Sequence, residues 1–405
     1  MPARPRPAVA GSPTHQQHPR PPITRRGLLG SAAGAALLAA CAPPEPPAAA
    51  RTTRALPADR SATDRVVRFA NWTQYLDQDE RTKRFPTLDA FVRASGIRAS
   101  YVEEIDDNDL YVNKIAPQIR AGQDVGRDLV VLSDWMVHRM IAQDLVQPLE
   151  LIRMPHAGNV LPALMDAPFD PGRQHSLPWQ SGLTGIGYDA SKVRPVKAVA
   201  DLWRPDLKGK VVALSEWRDT LGLIMRAQGV DPAKAFGHDQ VAAAVEVVDR
   251  QLGTGQIRRV KGNSYVEDLK SGNALAGMVW SGDIATLRAE TGNEHWTFVV
   301  PESGGMLWSD NAVIPATSPH RRNAQRLLDW YYQPEIAAQV AAWVRYICPV
   351  AGARKAMEKV DPELVADPLI FPTADFLARQ TSVFRALDPQ EEADYAAMWT
   401  KVVGQ

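Results

Sequence analysis

Phe69-Ala70-Asn71-Trp72-Thr73-Gln74-Tyr75-Leu76 directly follows Val66-Val67-Arg68, the first strand that the sequence predicts. No polar turn separates this apolar strand from Trp72 and Tyr75, so two large rings come at the carboxyl end of a strand. Ligands of open α/β sheets bind at the carboxyl ends of the strands. Large rings at such places also pack in the core or at its rim. The stretch therefore predicts either packing or a ligand wall.

Strands and helices alternate along most of the chain that follows. A helical pattern runs from Pro86 to Ser95 and stops at Gly96, and the strand Asp128 to Leu132 stands between two further helices. Such alternation is typical of a mostly parallel α/β sheet. The Gly-rich stretch from Trp179 to Tyr188 is predicted to be a hinge into a second α/β set. Asn311 to Pro315 is predicted as a strand that returns to the first domain.

This order of elements predicts two domains with a long N-terminal extension. We expect residues 65–187 together with 308–345 to form the first domain and residues 188–307 to form the second. Residues 346–405 are expected to be a mainly helical segment that packs on the domains. Residues 42–64, rich in Pro and Ala, have the composition of a flexible tether.

The first 41 residues have the features of an export signal. Arg25 and Arg26 precede a short apolar run from Gly27 to Ala40, which is shorter than the roughly 20 residues that cross a bilayer. The paired arginines resemble a twin-arginine signal, and Leu38-Ala39-Ala40-Cys41 resembles a bacterial lipobox. We expect Cys41 to carry a lipid anchor that tethers the protein to the membrane. The alternative is an ordinary cleaved signal with an incidental Cys.

The charge balance of the rest of the chain argues against nucleic acid as a partner. The whole chain has 46 basic and 46 acidic residues, and all five charged residues of the first 41 are arginines. The remainder therefore has 41 basic and 46 acidic residues, a formal net charge of −5. No basic footprint is present. With Cys41 lipidated, only Cys348 is left, so we expect a small buried residue and no disulfide.

Motifs of enzymes are missing from the sequence. It contains no His-Glu-x-x-His, no Gly-x-Ser-x-Gly, no phosphate-binding Gly-x-x-x-x-Gly-Lys-[Ser/Thr] and no dinucleotide-binding Gly-x-Gly-x-x-Gly. The eight histidines are scattered, without a pair at metal-ligand spacing. We therefore expect neither an enzyme nor a cofactor nor a metal site.

Aromatic residues recur beside carboxylates or small polar residues where predicted strands end. Taken singly, each is explained by a helix cap or a rim aromatic. Taken together they suit a flexible organic cation, because ring faces attract ammonium groups and carboxylates accept charge-assisted hydrogen bonds. The groups are Trp72 with Tyr75, Ser133 with Asp134 and Trp135, Glu216 with Asp219, Trp280, and Trp308 with Asp310.

From Val66 to Val403 the chain resembles a family, the polyamine-binding (spermidine/putrescine) lipoproteins of bacterial ABC importers. That family is part of the larger group of periplasmic-type solute-binding proteins. The resemblance implies a two-domain, periplasmic-binding-protein-like α/β fold of type II, each domain a central mostly parallel sheet flanked by helices, with the ligand in the interdomain cleft. It rests on Phe69 to Leu76, Asp128 to Ser133, Pro168-Phe169-Asp170-Pro171, Gly185-Ile186-Gly187-Tyr188, Asp201 to Gly209, Gly277 to Gly282, Gly304 to Asp310, and Pro334 to Gln339.

The resemblance also assigns roles to single residues. Asp310 is implied to be the partner of a ligand amine, and Glu216 and Asp219 to be the acids that receive amine ends. The chain departs from the family at Trp135, where Tyr is usual, and Trp217 stands where a small residue is usual. The implied ligand-binding residues are Trp72, Tyr75, Ser133, Trp135, Glu216, Asp219, Trp280, Trp308, Asp310 and Gln380.

The resemblance implies an extracytoplasmic receptor, a monomer, that closes on a polyamine and presents it to the membrane subunits of an ABC permease. Ser181 stands where the family has a large aromatic and Ser215 where it has an acid, so another ligand of the same architecture remains open: a different small amine, an amino-acid-like compound or an aminophosphonate. A second alternative is an exported enzyme, because twin-arginine signals often serve cofactor proteins.

Overall fold

Ten strands form one mixed sheet within residues 55–79, 81–165 and 167–404, which are the residues that the computed structural model of this chain describes. The strands are β1 (Val66–Trp72), β2 (Arg98–Ile105), β3 (Leu129–Ser133), β4 (Ser176–Asp189), β5 (Val211–Leu214), β6 (Ile257–Lys261), β7 (Ala276–Trp280), β8 (Trp296–Val299), β9 (Gly305–Val313) and β10 (Thr381–Ser382).

Helices fill most of the connections between these strands. The α-helices are α1 (Pro86–Ser95), α2 (Asn108–Arg120), α3 (Asp134–Ala142), α4 (Pro162–Met165), α5 (Trp217–Ala227), α6 (His238–Gly253), α7 (Tyr265–Lys270), α8 (Ser281–Thr291), α9 (Arg321–Tyr331), α10 (Pro334–Val344), α11 (Ala353–Val360), α12 (Ala374–Gln380) and α13 (Pro389–Val403). Short 3₁₀ turns lie at Leu151–Arg153, Pro155–Asn159, Val199–Trp203, Pro205–Leu207 and Pro362–Ala366.

The sheet has two parallel ends joined by two antiparallel strands. Its order is β2-β1-β3-β9-β4-β7-β5-β6, with β8 beside β4 and β10 beside β9. Strands β1, β2 and β3 are mutually parallel, and we call them with their helices the first half; β5, β6 and β7 are likewise parallel and form the second half. Strands β4 and β9 pair antiparallel with each other and connect the halves. The predicted α/β class is confirmed.

Register in the middle of the sheet brings residues of different strands side by side. Ser133, the last residue of β3, pairs with Asp310 of β9, and Trp280, the last residue of β7, pairs with Thr184 of β4. The carboxyl ends of β1, β3, β5 and β7 therefore converge on the middle strands. This is the edge at which α/β sheets bind ligands.

Strand β9 begins earlier than the sequence predicts. The expected strand was Asn311 to Pro315, whereas the structure has Gly305–Val313. Pairing with β4 explains the difference, since it extends from Met306 to Val313 and recruits residues with little strand pattern of their own. Trp308 and Asp310 consequently lie inside a strand rather than before one.

The Gly-rich stretch is part of β4, a continuous and fully buried strand. A Cβ at Gly182 would lie 2.3 Å from the Trp308 ring, and one at Gly187 would lie 2.6 Å from Ile284. The glycines therefore allow side chains to approach the backbone closely. The hinge and the domain boundaries expected from the sequence stay predictions.

Two cysteine expectations have different outcomes. Cys348 is buried, as expected, and burial raises the pKa of its thiol to about 12. Cys41, like Arg25 and Arg26, lies outside the described residues. Within residues 55–79, 81–165 and 167–404, no helix is long and apolar enough to span a bilayer.

Candidate ligand-binding site

A cavity of about 360 Å³ lies where the two halves meet at the carboxyl ends of their strands. Both halves, the middle strand β9 and the C-terminal segment contribute to its wall. Nine of the ten residues proposed from the sequence line it: Trp72, Tyr75, Ser133, Trp135, Glu216, Asp219, Trp280, Trp308 and Asp310. The tenth, Gln380, is exposed at the end of α12 and does not line the cavity.

Asp310 is the buried carboxylate at the centre of this wall. Its Oδ1 accepts from the Ser133 hydroxyl at 2.7 Å and its Oδ2 from the Tyr75 hydroxyl at 2.8 Å. Burial, which disfavours the charged form, raises the pKa of Asp310 to about 7. No Lys, Arg or His forms an ion pair with it in the described part of the chain. A cation entering the cavity would meet a carboxylate that has no charged partner.

Five aromatic rings surround this carboxylate and touch one another edge to face. Ring centroids are 6.0 Å apart for Trp72 and Trp280, 6.3 Å for Trp280 and Trp308, 5.3 Å for Trp308 and Tyr346, and 5.4 Å for Tyr346 and Tyr75. Aromatic rings thus form much of the cavity wall near Asp310. Such rings stack on methylene chains and attract ammonium groups.

Two further, partly buried acids belong to the same part of the cavity. Asp219 accepts from Trp280 Nε1 at 2.9 Å. Asp283 accepts from the Tyr265 and Tyr346 hydroxyls, each at 2.8 Å. Burial raises the pKa of each carboxyl to about 6. Neither forms an ion pair among the described residues.

Asp283 and Tyr346 were missed by the sequence reasoning. Asp283 follows the strand end at Trp280 by three residues, so the rule of acids after strand ends would have found it. Tyr346 carries no such signal, because it follows helix α10 and reaches the cavity only through tertiary packing. We call Trp72, Tyr75, Asp219, Trp280, Asp283, Trp308, Asp310 and Tyr346 the amine cage.

Glu216 lines the cavity, but its carboxylate is hydrogen-bonded to another residue of the protein. Glu216 Oε1 accepts from the backbone N–H and the side-chain amide of Asn108, at 3.0 and 2.8 Å. These bonds connect the second half to the first. Burial, with nearby Asp107, raises the pKa of Glu216 well above its usual value. Burial therefore favours the protonated form of this side chain, which joins the two halves through Asn108.

Glu216→Gln is expected to change the dissociation constant of an amine ligand by less than about threefold, because a glutamine oxygen can accept the same two bonds. Isothermal titration calorimetry with putrescine measures this. A loss of more than about tenfold would instead assign Glu216 to the ligand's ammonium group. Glu216→Ala removes both bonds to Asn108. Comparing its dissociation constant with that of Glu216→Gln measures how much this contact between the halves contributes to binding.

No group of three His, Cys, Asp or Glu in the described ranges could hold a metal ion. The cavity instead combines aromatic rings with one buried and two partly buried carboxylates, which form no ion pair among the described residues. A fold of two sheet halves that meet over such a cavity is characteristic of proteins that hold a small solute between two lobes. The fold and site thus define a solute-binding protein of the periplasmic type.

The chain belongs to the family of bacterial extracellular solute-binding proteins, whose sequence pattern matches residues 87–373. Members of this family bind solutes for ABC transporters and are not enzymes, so the expectation of no enzymatic activity is confirmed.

Curated relatives extend the match over most of the chain. The spermidine/putrescine-binding periplasmic protein of Escherichia coli (strain K12) is 25% identical over 322 residues, 79% of this chain and 87% of that protein. The putrescine-binding periplasmic protein PotF of the same organism is 27% identical over 361 residues, 84% of this chain and 92% of the relative. The resemblance stated from the sequence is confirmed. The relatives are periplasmic, which supports the expected export.

Solved structures show the same fold. A putative spermidine/putrescine ABC transporter protein from Listeria monocytogenes superposes with a TM-score of 0.70 at 24% identity, covering 84% of this chain and 98% of that one. A binding protein from A. tumefaciens R10 in complex with agropinic acid superposes with a TM-score of 0.67 at 20% identity, covering 84% and 99%. The first neighbour is described as a spermidine/putrescine transporter protein, whereas the second was solved with agropinic acid.

Proposed function

We propose that this protein is the extracytoplasmic receptor of an ABC importer and captures an organic amine of the polyamine class, such as putrescine or spermidine. Its membrane partner is the permease of that importer, and a lipid on Cys41 tethers the receptor near it. The observation that carries the proposal is Asp310, a buried carboxylate without an ion pair in the described chain, placed among aromatic rings.

The ammonium end of the ligand lies in the amine cage. Asp310, Asp219 and Asp283 supply the negative charge, and each is oriented by hydroxyl or indole donors of neighbouring rings. The rings exclude water and cover the methylene chain. Carboxylates alone would also accept inorganic cations, so the aromatic wall provides selection for an organic one.

Contacts between the halves give the receptor a closed form. Ser215 donates to Asp107 at 2.6 Å, and the backbone N–H of Ser264 donates to Asp106 at 2.8 Å. Together with the Asn108–Glu216 bonds, these contacts form only when the halves are together. A ligand held by Trp72 on one half and by Trp280 on the other favours that form, and the permease recognises it.

A thermal-shift and calorimetry screen tests the proposal. Putrescine and spermidine are expected to raise the midpoint of unfolding, since a ligand that binds only the folded state stabilises it. Matched dicarboxylates and inorganic cations should leave the midpoint unchanged. Stabilisation by the dicarboxylates and none by the amines would overturn the proposal. Mass spectrometry of ligand released from natively purified protein would identify the compound.

A further inference from the structure

Part of the cavity wall differs in chemistry from the amine cage. It consists of Trp135, Arg218, Phe384 and Glu392, which we call the arginine wall. Phe384 touches Trp217 with ring centroids 5.5 Å apart, and no aromatic contact within the described residues joins it to a ring of the amine cage. The cavity therefore has an acidic aromatic part and a part dominated by a guanidinium group.

Arg218 is held rigidly in this wall. Its guanidinium lies 3.9 Å from the ring centre of Trp135 and 4.1 Å from that of Trp217. The side chain is only 8% exposed and pairs with Glu392. Its Nη1 has no hydrogen-bond partner within the described ranges. A buried donor of this kind is costly unless an acceptor reaches it.

Glu392, the acid of the arginine wall, is already paired with two arginines. Glu392 Oε2 accepts from Arg218, and its Oε1 lies 2.5 Å from Arg139 Nη2. Glu216, which the resemblance paired with Asp219 as an acid that receives an amine end, accepts two hydrogen bonds from Asn108 at its Oε1. The ring of Trp135, a residue that the resemblance assigned to the ligand, is stacked by the guanidinium of Arg218. At the arginine wall a second ammonium group would meet a guanidinium, and the carboxylate of that wall, Glu392, is already paired with two arginines.

We infer that the preferred ligand has a single ammonium group, bound in the amine cage, and an oxygen-bearing far end that Arg218 recognises, as in a mono-N-acylated diamine or an ω-amino carboxylate. This inference rests on the proposed function, because it takes the amine cage as the ammonium site. Arg218 is then the residue that determines specificity: it attracts a carbonyl or carboxylate oxygen and disfavours a second cation at close range.

A series of four-carbon amines with different far ends tests the inference on the unmodified full chain. Calorimetry at about pH 8 compares N-acetylputrescine, 4-aminobutyrate, n-butylamine and putrescine. N-acetylputrescine and 4-aminobutyrate are expected to bind at least about tenfold more tightly than putrescine. If putrescine binds most tightly, the inference is overturned while the proposed function stands. If none of the four amines binds, the proposed function itself fails.

The variant Arg218→Leu gives the second test. Loss of the guanidinium frees Glu392 Oε2 to face the cavity, so putrescine affinity is expected to rise about tenfold or more and the preference for oxygen-bearing ends to disappear. Arg385→Gln is the matched control: Arg385 also borders the cavity, but its carboxylate partner Glu391 does not. An unchanged ranking in Arg218→Leu would refute the role of Arg218. The comparison in the unmodified chain stands even if a variant fails to fold.

Discussion

Asp310→Asn is expected to weaken putrescine or spermidine binding by more than about tenfold and, at about pH 8, to raise the unfolding midpoint of the ligand-free protein by several degrees. The first effect follows because the carboxylate is the central charge of the amine cage. The second follows from its pKa, which burial raises to about 7. Ionising a group that prefers to be neutral in the folded state costs stability, and an asparagine carries no such charge.

The sign of the stability effect depends on pH. An unfolded Asp titrates near its usual value of 3.8, whereas folded Asp310 titrates near 7. The folded state therefore binds the extra proton between these values, and stability from this group falls as pH rises from about 4 to 7. At about pH 4 the substitution should change the midpoint little, at about pH 5 it should give roughly a third of its gain, and at about pH 8 its full gain. Differential scanning calorimetry of both proteins measures this.

Asp77→Asn is the matched control for ligand binding. Asp77 is also buried with a raised pKa, but it bonds Thr87 and Gln339 and does not border the cavity. Its substitution should leave the dissociation constant of the amine unchanged. A dissociation constant that is also unchanged in Asp310→Asn would refute the charge pairing on which the proposed function depends.

The site was predictable from the sequence wherever a residue directly follows a strand or ends it. Trp72, Ser133 and Trp280 are the last residues of β1, β3 and β7, so their convergence follows from the parallel pattern alone. Asp310 was found as the acid beside Trp308 next to a predicted strand, and the resemblance gave it the role of amine partner, although the strand itself was predicted too short. Asp310 lies beside Ser133 because β9 pairs with β3 and β4. No local sequence pattern predicts this pairing.

The sequence could not show which cavity side chains are engaged by other residues of the protein and which remain available to a ligand. Glu216 follows a strand end, and Asp219 lies in the first turn of the next helix. Glu216 nevertheless bonds Asn108 in the other half, whereas Asp219 bonds Trp280 at the ligand cavity. Trp135 matches a ligand aromatic by position, but the guanidinium of Arg218 stacks on it. Such outcomes depend on contacts between residues far apart in the chain. The bounds of helix α1, by contrast, were set locally, and Pro86–Ser95 agrees with the prediction.

Amine affinity is expected to fall by at least about 30-fold between about pH 8 and pH 5.5, because an ammonium ligand needs Asp310 ionised and loses further attraction as Asp219 and Asp283 are protonated. Burial raises the pKa of Asp310 to about 7, and that of Asp219 and Asp283 to about 6, so protonation removes the charge of the cage in this range. The ligand amine, with a pKa near 10, stays charged throughout.

Calorimetry in buffers of different ionisation enthalpy checks this directly. Near pH 6.5, binding should release protons, since the ammonium group lowers the pKa of Asp310. In Asp310→Asn, amine affinity should no longer change with pH above about pH 6.5. Only the change at lower pH, caused by Asp219 and Asp283, should remain. A flat profile, or proton uptake on binding, would mean that Asp310 does not face the ammonium group. Ionisation of Asp310 strengthens ligand binding and destabilises the ligand-free protein. If this one carboxylate causes both effects, amine affinity must rise with pH while the stability of the ligand-free protein falls.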